Sequence, residues 1–211
     1  MSSEPMPEPK GDSLKTYRAR RRFARTPEPV GDRKVVGPKP IFVIQKHDAT
    51  SLHYDFRLQI GDVLKSWAVP KGPSTDPSVK RLAMPTEDHP LEYADFEGVI
   101  PEGEYGGGTV IVWDKGTFRN LKEDGGRPVP LDKAFEQGHL IVWLEGKKLR
   151  GGYALIRTGG FGRSRQAWLL IKKRDREADA SRDPVHSQPE SALTGRTIEE
   201  VAGQARPPDA G

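Results

Sequence analysis

The sequence predicts a mainly all-β protein, an antiparallel barrel or sandwich. Three observations carry that reading. Between Ile41 and Lys172, short runs of β-branched and aromatic residues recur, separated by clusters of Gly, Pro, Asp and Lys. Within the run His53–Ile60, apolar and polar residues alternate, the period of a strand with one face buried. No segment of the region shows a long helical period, and many short strands with Gly/Pro turns indicate closed or stacked antiparallel sheets.

The elements follow in order. Residues 1–13, punctuated by Pro5, Pro7 and Pro9, are expected to be a disordered tail. From Leu14 to Pro40 the prolines Pro27, Pro29, Pro38 and Pro40 prevent long regular structure, so this stretch reads as an arm laid across the domain. Ile41–Lys46 is the first strand, ended by the turn-prone Asp48-Ala49-Thr50-Ser51. His53–Ile60 follows, and Gly61-Asp62 makes a tight hairpin into Val63–Val69, where Trp67 and Val69 are core candidates. Further strands are expected at 108–113, 116–120, 139–144, 153–158 and 168–172. The chain then turns charged, and residues 175–211 read as a mostly disordered tail. Thr197–Ala202 could add a helical turn or two, capped by Thr194 or Thr197.

Composition bounds the function. A length of 211 residues suits one domain with a sizeable core. Hydrophobic residues at 34% against 30% charged are lean for a globular chain, as expected if polar tails dilute a normal core. Without cysteine, neither a disulfide framework nor a thiolate zinc site can form. No apolar run approaches the ~18 residues of a membrane span, and the N-terminus lacks a signal-peptide layout. A cytoplasmic protein is expected. The net charge of +4 is unevenly spread: Arg18, Arg20, Arg21, Arg22 and Arg25 crowd the arm, while Glu87–Glu104 is acidic. The arginine cluster suits a phosphate backbone, or is simply a soluble leader.

The polar edge of His53–Ile60 carries His53, Asp55 and Arg57, with His47 six residues upstream. Two imidazoles and a carboxylate form a three-point ligand set suited to Mn²⁺, Zn²⁺, Fe²⁺ or Co²⁺ rather than Mg²⁺ or Ca²⁺. Arg57 is placed to grip an anion beside that ion, which points to phosphoester chemistry. The plainer alternative is a hydrogen-bonded surface pair, with His47 unrelated. Lys71, Lys80 and Arg81 extend the basic set, although turn lysines are usually only solvated. In Thr86–Tyr93, His89 suits acid–base work or phosphate contact and Tyr93 can donate to a phosphate oxygen; the competing reading is a loop histidine before a turn proline. Glu102–Thr109 lacks the G-K-[ST] ending of a P-loop and leads into a strand, so it reads as a wide structural turn.

These residues carry a resemblance. Phe42–Leu58 (FVIQKHDATSLHYDFRL), Trp67–Ser74 (WAVPKGPS), Glu87–Gly98 (EDHPLEYADFEG), Ile100–Gly106 (IPEGEYG) and Gly116–Phe118 strongly resemble the 3′-phosphoesterase domain of bacterial DNA ligase D, in a stand-alone form. The resemblance covers residues 14–174, in order. It implies a small antiparallel β-barrel with a polar active-site groove and a Mn²⁺-dependent activity on DNA 3′ ends. That activity removes a terminal 3′-ribonucleoside and then the 3′-phosphate, leaving a 3′-OH. The resemblance places metal ligands on His47, His53 and Asp55. It places phosphate contacts on Arg57, Lys71, Arg81, His89 and Tyr93, a functional acid on Glu87, and arm residues on Arg21 and Glu28. One position departs: the family's Arg-Asp-Phe is Arg21-Arg22-Phe23 here, which puts diester cleavage in more doubt than monoester cleavage.

The expectation is therefore a Mn²⁺-dependent 3′-end-healing hydrolase of DNA repair and non-homologous end joining, with Co²⁺ or Zn²⁺ as other metals. Its substrates would be DNA or RNA-tailed DNA 3′ ends at primer-templates. Its partners would be separately encoded ligase, polymerase or Ku-type proteins near the nucleoid, with no membrane. The alternative is a catalytically silent end-binding or scaffold barrel.

Overall fold

The computed structural model describes residues 12–32, 37–159 and 167–204. Among the described residues twelve strands occur in chain order: β1 (Ile41–Asp48), β2 (Leu52–Ile60), β3 (Val63–Val69), β4 (Lys80–Pro85), β5 (His89–Pro90), β6 (Gly98–Ile100), β7 (Gly108–Asn120), β8 (Glu123–Asp124), β9 (Arg127–Pro128), β10 (His139–Gly146), β11 (Arg150–Thr158) and β12 (Ala167–Lys172). Helices are short: α1 (Lys15–Ala19), α2 (Leu131–Glu136), α3 (Pro184–Ser187) and α4 (Ile198–Gln204), with a 3₁₀ turn at Leu91–Asp95. Every strand pairing is antiparallel, and the order β1-β2-β3-β4-β12-β11-β10-β7 closes where β7 pairs with β1. The result is an eight-stranded closed barrel, so of the two expected architectures the barrel is the one formed. Closure removes the open edges that a sandwich would leave.

Alternation decides which side chains fill it. Tyr54, Phe56, Leu58 and Ile60 of β2 point into the barrel with Trp67 and Val69 of β3, Trp168 and Leu170 of β12, and Leu140, Val142 and Leu144 of β10. The opposite face of β1 and β7 packs a second cluster, in which Val43, Val110 and Val112 meet Tyr17 of the arm and Leu91, Tyr93 and Phe96. His53, Asp55 and Arg57 share that outer face because they alternate with the inward residues.

Three differences from expectation have physical causes. The strands expected at 108–113 and 116–120 are one strand, β7, whose register against β1 shifts between Ile44 and Gln45. Such a bulge lets a long strand bend around a barrel without ending. β4, not expected at all, closes the sheet between β3 and β12; with Pro85 at its end and Lys80 and Leu82 exposed, its sequence carries little strand signal.

The segment after Lys173 is docked as far as Gln204, where a disordered tail was expected. Its own carbonyls are the anchors: Trp113 Nε1 donates to Gln188 O at 2.7 Å, Lys148 Nζ donates to Gln188 O and Glu190 O, and Thr75 Oγ1 lies within hydrogen-bond reach of Asp179 O and Arg182 O. Ile198 and Val201 of α4 then cover Ile111. α4 starts with a capping box, since Glu200 N donates to Thr197 Oγ1 and Thr197 N to the Glu200 carboxylate, which selects Thr197 as the cap. Residues 1–11 of the expected N-terminal tail lie outside the described residues. In the arm, Tyr17 is fully buried and its hydroxyl donates to Pro29 O at 2.6 Å.

Candidate metal and phosphate site

The site grows from one hairpin. β1 and β2 pair so that His47 lies directly opposite His53, and Gln45 opposite Asp55. Directly opposed residues on one sheet face bring their side chains together, so these four and Arg57 form a single polar patch. One ligand atom from each of His47, His53 and Asp55 lies within 4.8 Å of the others. Asp55 stands between the two rings: Oδ2 is 3.6 Å from His47 Nδ1, and Oδ1 is 3.7 Å from His53 Nε2.

The far nitrogens of both rings face backbone oxygens. His47 Nε2 is 2.9 Å from Gly106 O, and His53 Nδ1 is 2.9 Å from Ser51 O. With protons on those nitrogens, lone pairs of His47 Nδ1 and His53 Nε2 face Asp55. That is how metal-binding histidines are usually oriented, with the second ring nitrogen donating to an oxygen. The donor set therefore fits a divalent transition ion: two imidazole nitrogens and a carboxylate, with tautomers fixed from behind.

Arg57 is 3% exposed and held from two sides. Nη2 donates to Asp55 Oδ2 at 3.0 Å, and Nε donates to Gln45 Oε1 at 2.8 Å. Gln45 is held in turn by donating to the carbonyls of Tyr93 and Phe96. Burial alone would raise the Asp55 carboxyl, but the Arg57 guanidinium, with help from His47 and His53, holds it well below the usual carboxylate range.

His89 is buried between two guanidinium groups, with Arg57 Nη1 3.0 Å from Nδ1 and Arg21 Nη2 3.3 Å from Nε2. Burial and then those two cations push it far below the ordinary histidine value, so the ring is neutral at pH 7. A neutral imidazole has one lone pair to offer. With Nδ1–H donating to Glu87 O at 2.9 Å, Nε2 accepts from Arg21, and Arg57 Nη1 faces an N–H. In that tautomer the Arg57 Nη1 hydrogen finds no acceptor on the ring, and Arg57 lines the cavity.

The arm completes the wall. Arg21 Nε donates to Glu28 Oε1 at 2.8 Å and Nη1 to Glu87 Oε1 at 3.1 Å, with its guanidinium 3.8 Å over the Tyr17 ring. Tyr93 donates its hydroxyl to Glu28 Oε1 at 2.9 Å, so that proton serves the arm rather than a phosphate. Burial, reinforced by Glu28, keeps the Tyr93 phenol protonated far above its ordinary range.

A cavity of about 270 Å³ is lined by Arg21, His47, His53, Asp55, Arg57, Glu87, His89 and Tyr93, together with Tyr105 and Gly106. The structure thus brings eight of the sequence-predicted residues to one place. Glu28 stands directly behind them. Lys71, exposed in the turn after β3, and Arg81 do not line this cavity. Arg81 pairs with Leu170 and lies two residues from the core residue Ala83, which puts both on the inward face of β4. The replaced position, Arg22, is exposed and makes a two-pronged ion pair with Glu104, outside the cavity.

The loop read from sequence as a structural turn has a larger part, because Gly106 supplies the oxygen that orients His47 and Tyr105 reaches Glu87. Gln45 was also missed, although it shares a strand face with His47. Ser51 and Gly106 act through backbone oxygens, which residue type does not advertise.

Comparison with known proteins decides the lineage of this site. The family model of the DNA ligase D 3′-phosphoesterase domain matches residues 45–157, more than half of the chain. The chain belongs to that family. It is 47% identical over 206 residues to the multifunctional non-homologous end joining protein LigD of Pseudomonas aeruginosa, covering 96% of this chain and 24% of that protein. It is 50% identical over 153 residues to the LigD DNA repair protein of Mycobacterium tuberculosis, covering 72% and 19%. The LigD of Mycolicibacterium smegmatis is 43% identical over 171 residues, covering 80% and 22%. The chain thus spans a quarter or less of the length of these curated relatives. Among the described residues no helix is long and apolar enough to cross a membrane.

Proposed function

We propose that this chain is a metal-dependent phosphoesterase that heals DNA 3′ ends, converting a 3′-phosphate, or a terminal 3′-ribonucleoside diester, into a 3′-OH during non-homologous end joining. The observation that carries the reading is the His47–His53–Asp55 donor set beside the buried Arg57. His47, His53 and Asp55 would hold the cation, with Mn²⁺ as the first choice and Co²⁺ or Zn²⁺ as alternatives. Bound there, a divalent cation supplies Lewis-acid polarisation of the phosphorus and a template for the phosphate.

The chain's own residues supply the rest. Arg57 and Arg21 stabilise charge that grows on the equatorial phosphate oxygens as water adds and the bond from phosphorus to the departing oxygen breaks. For a 3′-phosphate that oxygen is the sugar 3′-oxygen, which takes up a proton and becomes the 3′-OH. His89, held neutral with Nε2 engaged by Arg21, positions that guanidinium against the phosphate. Glu87 and Glu28 position Arg21, and Gln45 positions Arg57. Lys71 and Arg81 are left for contacts beyond the cavity. Arg22, now paired with Glu104, favours monoester over diester cleavage.

The test is phosphate release from a 3′-phosphate primer-template with Mn²⁺, comparing wild type with His47→Ala and Asp55→Ala. Loss in both variants is expected; equal activity in all three would remove the metal assignment. Retention of about one ion per chain by wild type alone would separate the enzyme from a silent end-binding barrel.

A further inference from the structure

The cavity's small size leaves the terminal nucleoside unaccounted for. At about 270 Å³ it falls below the roughly 300–1,000 Å³ typical of small-molecule pockets. It has room for a phosphate and its cation, while a base must lie at the mouth. Two tyrosine rings line the cavity, Tyr93 and Tyr105, and they differ in access: Tyr93 is 2% exposed and Tyr105 45%.

Tyr105 is also fixed in place. Its hydroxyl lies 2.6 Å from Arg20 Nη1 and donates to Glu87 Oε2 at 3.2 Å, and its neighbour Gly106 orients His47. The Arg20 guanidinium lies over the ring, 4.8 Å from its centroid, on a side chain that is 46% exposed. A rigid, open ring one residue from the donor shell contributes little to the core, and loop residues placed this way on a rigid scaffold usually bind.

We propose that the Tyr105 ring, backed by the Arg20 guanidinium, is the stacking platform for the base of the terminal nucleoside and sets a preference for ends that carry a base. This deepens the phosphoesterase reading and rests on it. Stacking tolerates any base because each has a π face, so the platform distinguishes base from no base and is nearly blind to which base.

The test uses the full chain and two matched primers, one ending in a 3′-ribonucleoside and the other in an abasic ribose. Wild type is expected to show a KM roughly tenfold lower for the base-bearing end, the scale of one base–aromatic stack. Tyr105→Leu should abolish that ratio. Tyr105→Phe, which keeps the ring and loses the hydroxyl bonds, should preserve it. A second arm places 2-aminopurine in the terminal ribonucleoside behind a cleavage-resistant phosphorothioate link and follows its fluorescence at saturating protein. Quenching by wild type and Tyr105→Phe, but not Tyr105→Leu, is the expected result. Equal KM values for the two ends in wild type, or a ratio that survives Tyr105→Leu, would overturn the platform. Absence of metal-dependent phosphate release from a 3′-phosphate primer by wild type would instead sink the phosphoesterase reading, with the fluorescence arm still deciding the stacking.

Discussion

Asp55→Asn separates the two jobs that one carboxylate performs, neutralising Arg57 and binding an ion. In metal-free buffer Asp55 compensates a guanidinium that is 3% exposed and bonded to it at 3.0 Å. Breaking a buried pair of this kind costs about 3–5 kcal/mol. Asparagine still offers Arg57 an oxygen, so the low end, about 3 kcal/mol, applies. At roughly 2–4 °C per kcal/mol for a chain of this size, Tm should fall by roughly 6–12 °C. Adding Mn²⁺ at a hundred times its dissociation constant stabilises wild type by about 2.7 kcal/mol, a rise of roughly 5–10 °C. If the loss of the carboxylate weakens binding about a hundredfold, the same concentration contributes only about 0.4 kcal/mol to the variant. The assay is thermal unfolding of both proteins with chelator and with Mn²⁺. A variant whose Mn²⁺-dependent rise equals that of wild type would refute the ligand role of Asp55, however large the drop in metal-free buffer.

Three further outcomes follow from the same geometry. Because the Asp55 carboxyl is held below its ordinary value, its contribution is present above the unfolded-state value of about 3.9 and is lost as pH falls through the folded value. Urea denaturation with chelator should therefore show the gap between wild type and Asp55→Asn shrinking from pH 6 to pH 3. Gly106 has φ of +75°, and a Cβ there would meet His47 Cε1 only at an ordinary 3.9 Å, so Gly106→Ala acts through the backbone. It should cost about 1–2 kcal/mol and, by turning the oxygen that orients His47, weaken Mn²⁺ binding about 10–100-fold in a direct titration. Asp114 accepts from the amides of Lys115, Lys147, Lys148 and Leu149. Asp114→Asn turns an N–H towards one of those donors and should lower stability by about 2 kcal/mol, read as a lower urea midpoint at unchanged slope.

Much of this was legible because period-two alternation assigns both a core and a site at once. Tyr54, Phe56, Leu58 and Ile60 declared the inward face of β2, so His53, Asp55 and Arg57 had to share the other. Alternation alone could not tell the barrel from a sandwich, because that rests on pairings between strands distant in sequence, above all β1 with β7; the family resemblance supplied it. The docked C-terminal segment escaped notice for a related reason. It is held largely through its own carbonyls, and a carbonyl reads the same under Gln188 as under any residue. Arg81 shows the converse: its residue type invited a phosphate role, while the parity of β4 turns it away from the cavity.

The three donors come from nine consecutive residues, 47–55, facing one another across a single turn. Their spacing is thus indifferent to insertions on the far side of the molecule, such as the exposed β8–β9 ribbon. It is acutely sensitive to the length of the loop between Asp48 and Leu52. One extra residue taken up in the β1–β2 ladder, and not in the turn, would swap the parity of all that follows, sending an imidazole and a carboxylate into oil and Tyr54 out to water. Drift in the circumference is tolerable for such a protein; a slip of one in that ladder is not.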